Sequence, residues 1–392
     1  MNEVYVIAAK RTPIGGFLGN LSDFSATQLG AIAIKETYES VGINPNNICS
    51  VYMGNVLSAN LGQSPARQSS IFAGISVNTD STTVNKVCAA GMKAIIIGAQ
   101  QIQLGLEDLV ITGGMESMSN VPHYNLLRKP VKFGDTTSID GLLKDGLTDV
   151  YKNFHMGNAA EMCVEKYALT REQQDEYALS SYAKAQKATK EGKFKNEIIP
   201  IKIKSKTGET IIDSDEDIFK VIPEKVSKLN PVFIKDGTIT AANASNLNDS
   251  AAAILLASKD AVKKYDLKPI AKIISYADAA QAPEWFTTAP STAINKALNR
   301  ANLSINDIDF FEINEAYAAV VLANQKILEL DSDKINLYGG AVAMGHPLGA
   351  SGARIICTLI SVLKQEDGKY GVASICNGGG GASAIVIENI NL

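Results

Sequence analysis

The sequence predicts an α/β protein made of two similar halves with a site between them, and three observations carry the prediction. Short β-branched runs alternate with alanine-rich helical stretches along most of the 392 residues. One pattern of helix, polar turn, isoleucine and strand occurs near both ends. Reactive side chains fall where strands end or helices begin, which is where layered α/β sheets bind ligands.

Taken in order, Met1–Ala8 opens directly on a strand pattern. A helical run then leads into Gly42–Gly54, with Asn44-Pro45-Asn46-Asn47 as the turn, Ile48 as the fixed isoleucine and a strand after it. Ser81–Val84 reads as a β-branched strand that enters a small-residue turn at Cys88 and then an Ala/Ile-rich helix, with Asp108–Gly114 as the next strand. From Val121 to Asn243 the chain becomes more charged and irregular. Its clearest element is a helix announced by Thr170 and Gln173, a capping-box pair. Residues 121–243 therefore read as an inserted domain, with 1–120 plus 244–270 as the N-terminal half and 271–392 as the C-terminal half. In that last half Asn302–Asn314 repeats the Gly42–Gly54 pattern. The turn and helix at His346, followed by strand Tyr370–Cys376, parallel those at Cys88.

Composition narrows the function. With 46% hydrophobic and 20% charged residues the chain can bury large cores. A net charge of −4 gives no overall attraction to nucleic acid or to an anionic membrane, so a small-molecule ligand is expected. No apolar run is long enough to span a bilayer, and the start lacks the cationic and apolar regions of a signal peptide, so a cytoplasmic location is expected. Five cysteines (Cys49, Cys88, Cys163, Cys357, Cys376) are an odd number and too few for a disulfide framework, so reduced thiols are expected. Histidine and cysteine show no C-x-x-C or H-x-x-x-H spacing for a transition metal. The lysines between Lys184 and Lys228, Lys206 and Lys225 among them, could meet a phosphorylated ligand, although such runs are ordinarily solvated faces.

Two glycine-rich stretches carry the chemistry: Tyr338–Arg354, with His346 at its centre, and Cys376–Gly381. Glycine lets the backbone approach a ligand closely and aim amides at a reacting oxygen. A single such stretch is as often a plain turn, and a single cysteine is more often a small buried hydrophobe. Three residues, Cys88, His346 and Cys376, each set in a small-residue turn, point instead to one pocket. At a helix N-terminus the amides and dipole are expected to lower the Cys88 pKa and enrich its thiolate.

Four motifs give the chain a resemblance to the thiolases over essentially its full length: Asn85-Lys-Val-Cys88-Ala-Ala-Gly, Asn314-Glu-Ala-Tyr317, Gly339–Gly352 around His346, and Cys376-Asn-Gly-Gly-Gly. It looks most like the short-chain members that act on acetoacetyl-CoA. The resemblance implies a duplicated, layered α/β/α/β/α fold with an inserted loop domain, and acetyl transfer between coenzyme A thioesters. Under it Cys88 is the nucleophile, His346 the base that activates it, and Cys376 the acid/base at the substrate α-carbon. His346 and a water on Asn314 would face an enolate oxygen, and the amides of Cys88 and Gly378 the acyl-enzyme oxygen.

Further assignments follow from the same resemblance. Met156, in the motif beginning at His155, and Phe286 would narrow the acyl pocket; Ser245 would contact the pantetheine arm of coenzyme A, and Lys225 would lie near the nucleotide. Tyr182, with the backbone carbonyls of Ala241, Ala242, Ala244 and Val342, would hold a potassium ion as an activator. No other cofactor is implied, coenzyme A being substrate and product, and a homotetramer is expected. Ala90 and Tyr317 depart from the usual serine and phenylalanine of the family. Three alternatives are weighed: a broader-range 3-ketoacyl-CoA thiolase, a carrier-dependent ketoacyl synthase, against which Cys376 argues, and a non-catalytic acyl-CoA or lipid binder, against which the retained reactive residues argue.

Overall fold

The computed structural model describes residues 1–129, 131–205 and 208–390; Lys206 lies outside them. Nine strands form the main path of a single sheet: β1 Val4–Arg11, β2 Ser50–Gly54, β3 Asp80–Val84, β4 Leu109–Ser117, β5 Asn248–Ser258, β6 Ala271–Ala280, β7 Phe310–Ile313, β8 Tyr370–Asn377 and β9 Gly381–Asn389. Their order is β7-β8-β9-β6-β1-β5-β4-β2-β3, and a two-residue strand, Gly15–Gly16, pairs with β5. Each half repeats one arrangement. In the N-terminal half β2 runs parallel to β4, followed by antiparallel β5 and β1; in the C-terminal half β7 runs parallel to β8, followed by antiparallel β9 and β6. The halves join where Val4–Val6 of β1 pairs with Ala271–Ile273 of β6.

Eight longer helices cover the sheet: α1 Ala26–Glu39, α2 Pro65–Phe72, α3 Ala90–Gln103, α4 Met156–Tyr167, α5 Arg171–Lys190, α6 Ala289–Ala301, α7 Ala318–Leu328 and α8 Leu348–Gln365. Helices α1 and α2 share a core with β4 and β5 on one outer face, and α6 and α7 share another with β7, β8 and β9. Between them α3 and α8 pack side by side in a core fed by strands of both halves. The layers are therefore α/β/α/β/α. Sequence explains the central pair: Leu348 to Leu363 of α8 are all buried, as a helix apolar on every side must be. The eleven buried residues of β5 likewise form a run covered on both faces.

The segment 121–243 lies over this frame as small hairpins plus α4 and α5. Thr170 and Gln173 close the capping box that starts α5. Fully buried Arg11 fastens the segment to β1: its Nε lies 2.6 Å from Glu197 and its Nη1 2.7 Å from Asp215. Glu197 in turn accepts from Ser361 of α8 at 2.6 Å. No helix among the described residues is long and apolar enough to cross a membrane.

Candidate active site

Cys88 and His346 occupy matching places in the two halves, each two residues ahead of the first residue of its central helix, α3 or α8. Neither is positioned by relaxed backbone alone. Val87, just before the cysteine, has φ +48°, a left-handed conformation that a β-branched residue rarely adopts and that costs about 1–3 kcal/mol. Its turn is held by the Val87 amide donating to Asn85 Oδ1 at 2.9 Å and by Lys86. The Lys86 ammonium reaches across to the other half, donating to Asp278 on β6 at 2.6 Å and to Ser383 on β9 at 2.7 Å.

Before His346 stands Gly345 at φ +110°, where a Cβ would meet Asn248 Oδ1 at 2.0 Å. Glycine is required there, because the same Asn248 oxygen accepts from the His346 amide at 3.0 Å. The imidazole tautomer follows from its neighbours. Ser351, one turn into α8, donates its hydroxyl proton to Pro347 O, so its oxygen accepts from His346 Nδ1–H at 2.6 Å. Nε2 then carries the lone pair, 3.5 Å from Asn314 Nδ2.

Burial, aided by the charge of Arg354, lowers the His346 pKa to about 3, so the imidazole is neutral across the physiological range. Burial pushes the Cys88 thiol up to about 11, with the amides of Gly378 and Cys88 itself opposing and the charge of Glu116 adding to the rise. This corrects the expectation of a thiolate-rich cysteine: desolvation outweighs the helix terminus. The resting pair is a neutral thiol and a neutral base. Cys376, at the end of β8, is 1% exposed, and burial and the nearby Cys88 hold its thiol well above the ordinary range. All five cysteines are free. Asn314, directly after β7, is buried, and its Oδ1 has no partner among the described residues, which suits it to accept from a water or a substrate group.

The pKa of His346 has a consequence for stability. The folded state binds this proton only below about pH 3, whereas an unfolded histidine binds it below about pH 6.5. The unfolded chain takes up more protons as pH falls, so the group's contribution, intact above pH 6.5, is lost on acidification toward pH 3. Between pH 7 and pH 5 the loss is about 2 kcal/mol. Denaturant titrations should show wild type losing that much more than His346→Asn; equal losses would contradict a neutral buried imidazole.

Cys88, His346 and Gly378 line one cavity of about 530 Å³. Met156, Phe286 and Tyr317 wall it and share a buried cluster with Cys376. His155 also lines it. Its Nδ1 accepts from the Gly157 amide at 3.0 Å, and its ring stacks on Phe233 with centroids 4.7 Å apart, so Nε2–H is its free donor. Ser245 lines the cavity with Ala241 and Ala244, its hydroxyl donating to Ala316 O at 2.9 Å. Leu143 and Val232, both exposed, mark the outer end.

Four further sequence assignments, Lys225, Tyr182, Ala242 and Val342, do not line the cavity. Lys225 is exposed on the one-turn helix Pro223–Val226 and does not line the cavity, because that helix packs only through Val226. Tyr182 does not line it either; with Val342 it belongs to a neighbouring buried cluster. Its hydroxyl makes no hydrogen bond to the described residues, and burial with the charges of Asp217 and Glu315 raises it to about 12. Ala90, the other departure from the family pattern, packs under the nucleophile turn beside Leu348. Sequence reading missed Phe233 and Glu116, whose roles depend on distant partners, and Ser351, for which the signal was local: it lies five residues after His346 in the same glycine-rich run.

Residues 4–260 match the thiolase N-terminal domain and residues 267–389 the thiolase C-terminal domain. A Gibberella zeae protein named acetyl-CoA acetyltransferase ERG10, cytosolic, is 53% identical over 390 residues, covering 99% of this chain and 98% of that protein. The crystal structure of Acat5 thiolase from Ascaris suum in complex with coenzyme A superposes with TM-score 0.94 at 48% identity, covering 99% of this chain and 100% of that one. Human mitochondrial 3-ketoacyl-CoA thiolase superposes with TM-score 0.96 at 40% identity, covering 99% of each chain. Matched along both halves, in sequence and in fold, the chain belongs to the thiolase family.

Proposed function

We propose that the chain is an acetyl-CoA C-acetyltransferase, which condenses two acetyl-CoA into acetoacetyl-CoA plus coenzyme A, reversibly, through an acetyl-Cys88 intermediate. The observation that carries this reading is the meeting of Cys88, His346 and Gly378 at one cavity, with Cys376 and Asn314 behind it.

The protons balance with the groups present. His346 Nε2 takes the Cys88 proton as sulfur attacks the acetyl carbonyl, whose oxygen the amides of Cys88 and Gly378 stabilise. The bond to coenzyme A breaks, and its thiolate leaves with the Cys376 proton. Cys376 thiolate then removes the α-proton of a second acetyl-CoA, and the enolate oxygen is held by imidazolium and by a water on Asn314. The enolate carbon bonds to the acetyl carbonyl, Cys88 departs, and His346 returns its proton. Losing one oxyanion donor in such a site costs about 3–4 kcal/mol of transition-state stabilisation.

Met156 and Phe286 narrow the acyl end of the cavity and favour a two-carbon unit over the broader-range reading. Purified protein should cleave acetoacetyl-CoA strongly and a longer 3-ketoacyl-CoA weakly, and Cys88→Ser should remove both activities. Met156→Ala should shift the ratio of kcat/KM toward a six-carbon substrate about tenfold. Comparable wild-type rates on both substrates would place the chain with the broader-range enzymes.

No resident cofactor is required. A potassium ion as activator is supported by Tyr182, a buried residue whose hydroxyl makes no hydrogen bond to the described residues and which feels the charges of Asp217 and Glu315, with Val342 in the same cluster; hard cations take such oxygen ligands. The carbonyls of Ala241, Ala242 and Ala244 complete the proposed set. Lys225 would reach a nucleotide phosphate only outside the cavity. Residues 1–120 plus 244–270, 121–243 and 271–392 are the proposed domains. A homotetramer is supported by Leu126, Leu127 and Phe133, exposed on the 121–151 excursion. The cytosolic name of the Gibberella zeae relative supports a cytoplasmic location.

A further inference from the structure

Glu116 lies in β4 at 0% exposure, in a setting that stability alone does not call for. All its partners are amides. Oε1 accepts from Asn55 Nδ2 at 2.8 Å and the Leu57 amide at 3.2 Å; Oε2 accepts from the Val56 amide at 3.1 Å and the Gly349 amide at 2.9 Å. Burial raises the Glu116 pKa to about 7 against the pull of the Gly349, Leu57 and Val56 amides, and no cation pairs with it among the described residues. The four donors hold two separate pieces of chain in one place.

Those pieces belong to the two halves. Gly349 is the second residue of α8, three positions after His346. Asn55–Leu57 follows β2; the Asn55 amide donates to Val84 O at the end of β3, and Val56 and Leu57 pack in one cluster with Val87, Cys88 and Leu348. Strand register shows that Glu116 has a counterpart. Gly54, the last residue of β2, faces Gly114 on β4, and Ile313, the last of β7, faces Ser374 on β8. The next residue is an asparagine in each half, Asn55 or Asn314. Two beyond the facing residue stands Glu116 in one half and Cys376 in the other. The second half spends this position on chemistry.

We infer that Glu116 is the positioning residue that holds the His346 end of α8 in register with the Cys88 turn, by fastening Gly349 to the Asn55–Leu57 loop. This rests on the reading of Cys88 as nucleophile and His346 as its base. Glutamine here would accept at one oxygen only and turn an NH₂ group toward amides that are themselves donors, opening the junction.

Alkylation of Cys88 by iodoacetamide, followed by peptide mass spectrometry so that exposed Cys49 is counted separately, tests this without any acyl-CoA. At pH 7, E116Q should slow Cys88 alkylation about tenfold or more, the scale set by a misplaced catalytic group. E116D, which keeps the charge one carbon shorter, should slow it less. In a His346→Ala background at the same pH, adding E116Q should not slow the reaction, since the slowing runs through His346 and loss of the Glu116 charge acts the other way. Charge alone predicts the opposite sign, because Glu116 disfavours the Cys88 thiolate. A rate in E116Q at or above wild type, or equal slowing with and without His346, overturns the inference. If E116Q does not fold, E116D and Asn55→Ala, which leaves three donors, are judged by the same criterion. Failure of Cys88 to react faster in wild type than in His346→Ala would instead overturn the site assignment.

Discussion

His346→Ala should slow acetyl transfer to Cys88 about 10⁴-fold at pH 7, and the deficit should shrink about tenfold for each unit of pH added. The size follows from the thiol. With a pKa pushed up to about 11, only about one Cys88 in 10⁴ is ionised at pH 7 without a base beside it. Wild type escapes this limit because Nε2 is unprotonated at pH 7 and takes the proton as sulfur attacks, instead of requiring it to be lost beforehand. The single-turnover burst of coenzyme A from acetyl-CoA measures the step directly. A variant that keeps a tenth of the wild-type rate, or whose rate is flat between pH 7 and pH 9, would mean that something other than His346 activates the nucleophile.

Gly114→Ala should have the largest effect on the fold. A Cβ on Gly114 would lie 2.0 Å from Gly349 O and 3.0 Å from Gly91 Cα. Both obstacles are backbone at the starts of α8 and α3, so no rotamer change can clear them. Overpacking of this kind costs about 3 kcal/mol or more, and relief requires α3 and α8 to move off the sheet, taking Cys88 and His346 apart. Gly134→Ala is the control: nothing lies within 4 Å of its added methyl, and only its φ of +92° opposes the change, at about 1–2 kcal/mol. Melting curves and soluble yield of the two variants, measured side by side, decide the matter. Equal stability would mean that the helix starts are not pinned to β4.

Much of this site could be read in the chain because its parts announce themselves locally. Cys88, His346 and Cys376 each sit among small residues, and the Gly42–Gly54 and Asn302–Asn314 runs form the same turn and parallel strand in each half. What could not be read depends on partners far away. Glu116 draws its meaning from Asn55, 61 residues back, and Gly349, 233 residues on. The rise of the Cys88 pKa is not legible in the chain, because a helix start is visible in sequence whereas the burial that outweighs it, and the Glu116 charge that adds to it, come from distant segments. The left-handed Val87 gives no warning, since its residue type argues against the conformation it adopts.

Strand β5 sets the order in which the polypeptide can become whole. It stands between β1 and β4, yet is encoded after the whole of residues 121–243. At ordinary elongation rates roughly 10–50 s separate completion of β1 at Arg11 from completion of β5 at Ser258. Until β5 arrives, β1 and, once it is made, β4 each present an open edge to other nascent chains. The half that carries the nucleophile is thus the first to be made and cannot close until the insert has left the ribosome.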